Sequence, residues 1–553
     1  MPPRFRRPEP MTTFELVPDD EREDAPDAAP TGPPDDRRER VAALRDRALA
    51  RWRALSRRGR TAVAAGTAVV VLAAATATVA PGLLDARAQR LRADAIRGLP
   101  GVVDDLSEPL GVAWSLASDA NLAAVLPGGA LAVTDARGVR AVDAATGDAE
   151  WEHPSGDGAM CGPTPWTAVD WSAPVDTVVC VEDSSRVTVL DADGTVVSER
   201  ELDLLEPVDA PGDDYPSSFS WSQVPPTASG TTWSQVVPAA DGTVAVLDEI
   251  ASVTEVPWHE DEDAASLLRT LRDAGWHDPT LHLVDAVTGE ERAEVTIPLT
   301  AEALESCGVM EDGQGGRSVA PQPWIDATPS ATTLGLCSAT RAVTPTGEAF
   351  DVGDGRAAVP LPGGAFLLQG ETSEVLDAHG GRLETIDGLV LAPPVDTEPD
   401  GARLVLLGSD GSAPSLAALG EDGEPAWSVT VDPLTTPLAR VGGTVVLADD
   451  SSLTALDART GEQRWRVPDL LEHDLEGGEV IAGAVTDGTR LLLVVSPASW
   501  GDGEDSPHRL VALDLRDGST VWERSGTGVI WGLFSAGGNP VAVGESVTGL
   551  GGA

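Results

Sequence analysis

The residues with most chemical reach in this 553-residue chain are four cysteines, seven histidines and two asparagines. Cys161, Cys180, Cys307 and Cys337 show neither CxxC nor CxxCH spacing, which excludes redox-dithiol and haem-attachment roles. An even count in two close pairs points to structural disulfides, Cys161 with Cys180 and Cys307 with Cys337, each worth ~3 kcal/mol in the chain-entropy model. Each bridge is expected to tie the opening segment of a sheet to its next strand. The histidines (His153, His259, His277, His282, His379, His473 and His508) are scattered, and no GxSxG elbow or HExxH pair accompanies them. Trp258-His259 and Trp276-His277 bracket a helical stretch from Asp263 to Ala274, beside Glu260, Asp261, Asp263 and Asp278. These are conceivable metal ligands, but no two histidines share ligand spacing on a helix, so no metal site is assigned.

Charge narrows the partners. All 38 basic residues are Arg, and the formal net charge is −51. Residues 1–60 hold 14 Arg against 12 acids, which leaves 24 Arg against 77 acids, a net −53, for the rest. Such a domain repels nucleic acid.

The elements that carry these residues begin with Thr61–Ala80, twenty residues without a charge, long enough at about 1.5 Å per residue to cross a hydrocarbon core of about 30 Å. Seven Arg from Arg45 to Arg60 precede it, against four from Arg87 to Arg97 mixed with Asp85 and Asp94, which places the N-terminus in the cytoplasm. The expected order is a disordered cytoplasmic tail over 1–36, an Arg-rich juxtamembrane helix over 37–60, a transmembrane helix over 61–82 and an extracytoplasmic linker over 83–104.

Downstream the chain repeats itself. VDAATGDAEW from Val142, LDARTGEQRW from Leu456 and LDLRDGSTVW from Leu513 are one motif, and five weaker copies bring the total to eight. Asp143, Asp285, Asp457 and Asp514 lead turns whose Gly147, Gly289, Gly461 and Gly518 supply positive φ. Trp151, Trp427, Trp465 and Trp522 follow seven or eight residues later, where a flat ring can fill the space between adjacent sheets. Each unit reads as an antiparallel meander, and the strands GVAWSLA from Gly111 and VIWGLFSAGGNPVAVG from Val529 are available to close a ring. Residues 205–280 read as an insertion that caps one end, where long loops form a binding surface.

This repeat resembles that of the PQQ-binding-like, quinoprotein-type β-propellers, over about residues 105–550. The resemblance implies an all-β propeller, most commonly of eight four-stranded blades. For a dehydrogenase it further implies adjacent cysteines in a vicinal disulfide, an Asp base, Glu and Asn calcium ligands and a cofactor-stacking Trp. No adjacent cysteines exist, and neither Asn121 nor Asn539 has a motif around it. The expected function is therefore a non-enzymatic, membrane-anchored binding or scaffolding propeller with a protein or envelope partner at its loops, and with no cofactor and no catalytic residues. The alternatives are a PQQ-dependent dehydrogenase with a divergent site, and an envelope sensor that signals through its tail.

Overall fold

Each repeat unit alternates β-branched and aliphatic residues over short runs separated by Gly-containing turns, a pattern that favours antiparallel meanders. Thr436–Val441, Thr444–Ala448, Leu453–Asp457 and Gln463–Val467 form one such sheet. The second strand is buried throughout, whereas the fourth is exposed except at Trp465 and Val467, which marks it as the outer edge. At the third turn the register shifts between Ala455 and Leu456, a bulge that Gly461 completes at φ 71°.

The computed structural model describes residues 95–552 apart from 119, 157–158, 184, 203–231, 252–255, 258–262, 274–275, 308, 312–316, 320, 322, 354–355, 399–400, 409–413, 421–422, 472–477 and 499–506. All the described residues belong to one compact unit that begins at residue 86. The expected tail, juxtamembrane helix and membrane helix, and most of the linker, lie outside the described residues. Among the described residues no helix is long and apolar enough to cross a membrane.

Nine blade sheets follow one another along the described chain, eight of four strands and one, that of 436–467, of five, because Val395–Asp396 pairs in parallel with Thr436–Val441. Blades 1 and 2 comprise the four strands within 121–153 and 160–201, and blade 3 those within 232–296. Blades 4, 5 and 6 fall within 323–351, 357–387 and 389–430, and blades 7 and 8 within 436–467 and 479–527. Blade 9 joins Ile530–Ala536, Asn539–Gly544 and Val547–Gly552 to Leu110–Ser115, the first strand of the chain. Nine clusters of buried apolar side chains alternate with the sheets, each drawn from two consecutive blades, and those of the 8/9 and 9/1 junctions close the ring.

The expected eight blades are thus corrected to nine. The eight motifs each mark the turn between third and fourth strands, and they fall one to a blade in blades 1–8. Blade 9 takes its fourth strand from the other end of the chain, so it has no such turn, and its strands form a complete blade rather than a closure of an existing one. Closure leaves no unpaired sheet between the termini.

The segment read as an insertion, 205–280, needs a second correction. It contains the first two strands of blade 3, Thr232–Pro238 and Thr243–Ala251, which lie among polar and Pro-rich stretches that conceal their apolar runs. The helix expected from Asp263 forms as α1, Ala264–Asp273, and Asp263 Oδ1 accepts the Ser266 N–H at 2.7 Å.

In a ring of up-down-up-down blades, the first-to-second and third-to-fourth strand turns share one face of the disc and the remaining connections share the other. We call these the turn face and the cap face. The described chain enters on the turn face, where Val103 N–H donates to Thr486 O and Asp104 N–H to Gly538 O.

Candidate functional site

The repeat residues form a docking device between blades. Asp457 Oδ1 accepts the N–H groups of Arg459 and Thr460, and its Oδ2 accepts Arg464 at 2.7 Å. Asp143 and Asp285 hold their turns in the same way, through Ala145 and Thr146 and through Val287 and Thr288. Asp514 accepts from Arg516 N–H. The tryptophan of the preceding blade then donates its indole N–H to the carbonyl that follows the Asp. Trp427 reaches Ala458 at 2.8 Å, Trp465 reaches Leu515 at 3.0 Å and Trp151 reaches Ala192 at 2.8 Å. A Cβ on Gly461 would lie 2.8 Å from the Trp427 ring, so the glycine serves the contact as well as the turn.

Two members of this set escape sequence inspection. Trp114, in the strand from the N-terminus, docks on Ala144 at 3.1 Å. At the ninth junction Trp522 docks on Leu106 at 2.9 Å, and Asp105 accepts Ser107 N–H, so Asp105-Leu106-Ser107 stands in for the missing turn. Where a blade lacks the tryptophan, other side chains occupy the place. Arg200 covers Gly289, Arg292 donates to Pro345 O at 3.3 Å, and Phe350 lies against Gly380.

These turn carboxylates are acid-sensitive. The Arg464 guanidinium first, then the turn N–H groups, hold Asp457 at a pKa of about 2 against the opposing effect of burial. Burial is the largest influence on Asp285 and would raise it, but the Thr288 N–H and Arg292 bring it to about 2. A carboxylate depressed in the fold stabilises it above its unfolded value of about 3.9, and the contribution is lost as pH falls through the folded value. Circular dichroism is expected to show the domain losing stability between about pH 4 and pH 2. Asp457→Asn, which keeps an acceptor for the turn but no charge, is expected to flatten that loss; an unaltered acid profile would remove the turn carboxylate as its source.

The turn face carries a second constellation. Helix α2, Ala168–Ser172, lies in the first-to-second strand connection of blade 2 and is closed by a Thr167/Asp170 capping box. Asp170 is fully buried and accepts from Trp166 N–H, Thr167 N–H and Oγ, and the Ser330 hydroxyl of blade 4. Trp171, 2 % exposed, stacks on Phe534 of blade 9, ring centroids 4.2 Å apart and planes 12° apart. A loop from blade 2 thereby grips blades two positions away on either side. Below it Asp326, on the first strand of blade 4, touches solvent but is hemmed in by protein. Desolvation raises its carboxyl pKa, and the Asp170 carboxylate adds to that.

On the cap face, α1 packs against α3, Ala301–Glu305, and beside a small sheet of Val256–Pro257, Val309–Glu311 and Arg317–Val319. Leu267, Leu271, Trp276 and Leu304 continue the 3/4 junction core into this subdomain. Cys161 and Cys180 are bonded, directly opposite on the first two strands of blade 2. Cys307 and Cys337 are also bonded, but this bridge ties the segment after α3 to the second-to-third strand loop of blade 4 instead of joining neighbouring strands.

Trp258-His259, Glu260 and Asp261 lie outside the described residues. Asp278 is engaged by Arg272 at 2.6 Å and by Leu299 N–H. Among the described residues one group brings metal-ligating atoms together: His282, Glu291 and Glu294, within 4.8 Å of one another, with His282 and Glu291 already 2.7 Å apart as a hydrogen-bonded pair on the outer strands of blade 3.

The quinone cofactor implied by the resemblance does not fit the described donors. All four cysteines are held in two bridges spanning 19 and 30 residues, so a vicinal disulfide is ruled out. Asn539 donates to Ala536 O and Gly537 O of its own turn.

The fold and the repeated inter-blade dock define a closed β-propeller of nine blades. Residues 381–548 match the family model described as outer membrane protein assembly factor BamB. That match, together with the repeat, makes this stretch of the chain similar to the PQQ-like β-propellers. Among solved structures it is similar to BamB from Moraxella catarrhalis, at 14% identity and TM-score 0.35 over 80% of this chain and 99% of that one. The quinohemoprotein alcohol dehydrogenase ADHIIG from Pseudomonas putida HK5 is similar at 12% identity and TM-score 0.32, over 80% of this chain and 76% of that one. The WD40 domain of SCAP from fission yeast gives 8% identity and TM-score 0.32, over 81% and 98%. Likenesses of this size carry no information on activity or partner. No curated protein matches the chain.

Proposed function

We propose that the chain is a non-enzymatic binding or scaffolding propeller of the cell envelope, anchored by one helix at Thr61–Ala80 with its N-terminus in the cytoplasm and its disc outside. The observation that carries this reading is the donor set. The four cysteines and Asn539 are committed to holding the fold, while both faces of the disc present elements that the repeat does not need, α2 on one and the α1–α3 subdomain on the other. The family match adds support, since the matching model is named for a factor in outer membrane protein assembly. The anchor rests on hydropathy and on the Arg asymmetry across it.

The test has two arms. Titrating the full chain with PQQ and calcium is expected to leave its thermal unfolding unchanged and to give no dye reduction with alcohols or sugars. Stabilisation together with turnover would overturn the binding reading in favour of a quinoprotein. In the second arm, externally added protease is expected to digest the disc in intact spheroplasts and to spare residues 1–60; the reverse pattern would overturn the topology.

A further inference from the structure

The 8/9 junction differs between its two ends. Towards the turn face Trp522 seals it on Leu106. Towards the cap face Gly111, Gly526 and Gly528 leave the facing strands without side chains, and a cleft of about 400 Å³ opens between the outer strand of blade 8 and blade 9. Of its polar lining, Ser115, Ser546 and Thr548 bond to one another, whereas Arg524 and one nitrogen of His508 are left to face the cleft. Arg524 lies over Gly111 and makes one long bond, 3.4 Å from Nη1 to Leu110 O; among the described residues it has no carboxylate partner, although the domain carries a large excess of acids. His508, 8 % exposed, donates its Nδ1–H to Gly528 O at 2.9 Å, because a carbonyl can only accept. In that tautomer Nε2 is a bare acceptor, and it sits over Gly526 in the cleft wall. Ser525, Thr527 and Glu545 also line the cleft.

We propose that this cleft binds a small ligand bearing a carboxylate next to an N–H or O–H donor, with the carboxylate on the Arg524 fork and the donor directed to His508 Nε2. A guanidinium with free donors pairs with a carboxylate in a planar, two-bond geometry that a hydroxyl-lined wall alone does not offer. A buried imidazole with one nitrogen fixed as donor selects a ligand that donates to the other. Glu545 opposes a second negative charge, so the ligand carries one carboxylate and is otherwise neutral or positive. Two sources share this chemistry, the C-terminal end of a peptide and a small hydroxy acid. The cleft does not depend on the scaffold reading, because it lies within the ring wall and not among the loops.

The experiment is calorimetric titration of the full chain with N-acetyl-L-alanyl-L-alanine, with L-lactate and with methyl lactate. At least one of the two acids is expected to bind, the ester not to bind, and Arg524→Gln to weaken binding at least tenfold. Glu545→Gln is expected to tighten it several-fold by removing a like charge. The unfolding midpoint of each variant without ligand is expected to equal that of the parent chain, since neither side chain holds the junction. Preference for the peptide or for the hydroxy acid identifies the source. No binding by either acid, or binding that Arg524→Gln leaves intact, overturns the proposal.

Discussion

Replacing Trp465 with alanine is expected to cost about 3–5 kcal/mol, the range for removing a large aromatic from a packed core. The ring is 7 % exposed, its N–H bonds Leu515 O, and it covers Gly518 of the next blade. Truncation removes the area and strands a carbonyl in an apolar junction. Because each blade packs chiefly on its neighbours, the damage is local. Hydrogen exchange should accelerate in Leu491–Val495 and Leu510–Leu513 of blade 8, while blades 2 and 3 keep their protection. Trp465→Phe preserves most of the area but not the donor and is expected to lose about 1–3 kcal/mol. An alanine variant with the parent's denaturant midpoint and exchange pattern would show that the dock does not hold the junction.

The second large effect concerns Asp170. Asp170→Ala leaves four donors, in Trp166, Thr167 and Ser330, without their acceptor, and an orphaned donor costs about 1–3 kcal/mol when buried and less where, as here, it is partly exposed. The loss is expected to be several kcal/mol and to free residues 163–176 from blades 4 and 9, seen as rapid exchange and new protease cleavage there while the nine sheets stay protected. Ser330→Ala removes the bond to blade 4 but leaves the capping box intact, and about 1.5–3 kcal/mol is expected for one hydrogen bond to a charged group. Equal exchange in 163–176 for both variants and the parent would show that α2 is held by Trp171 and Phe534 alone.

Much of the ring was legible because its turns are chemically narrow. A third-to-fourth strand turn that needs an Asp to cap two N–H groups and a Gly at positive φ permits few residues, so eight copies survive as text. What was not legible lacks that constraint. Blade 9 has no such turn, and its substitute, Asp105-Leu106-Ser107, shares with the motif only the Asp and one N–H bond. Blades 2, 3 and 4 carry Arg200, Arg292 and Phe350 in the tryptophan place, a substitution that preserves contact but not residue type. The cysteine pairs could be read from their close spacing, but Cys337 serves a subdomain and not the next strand of its own sheet. The grip of α2 on Ser330 and Phe534 joins residues 160 and more positions apart, and no local pattern encodes such a contact. The cleft at the 8/9 junction is defined by glycines, whose contribution there is absence of side chain.

The pairing of Leu110–Ser115 with Val547–Gly552 also sets an order of events during synthesis. Of the ring's strands, the one made first must wait for the one made last, so the disc cannot close until Val547–Gly552 is available. Until then blade 1 and the partial blade 9 present open faces, and the apolar sides of Leu122, Val133 and Val541 remain wet. Loss of even the final six residues would leave Leu110–Ser115 without its partner and the circle unlocked, however well the preceding blades had formed. Joining the two ends with a short linker and cutting the chain between blades 4 and 5 would move the waiting strand elsewhere, leaving the finished architecture the same and the timing of its completion changed.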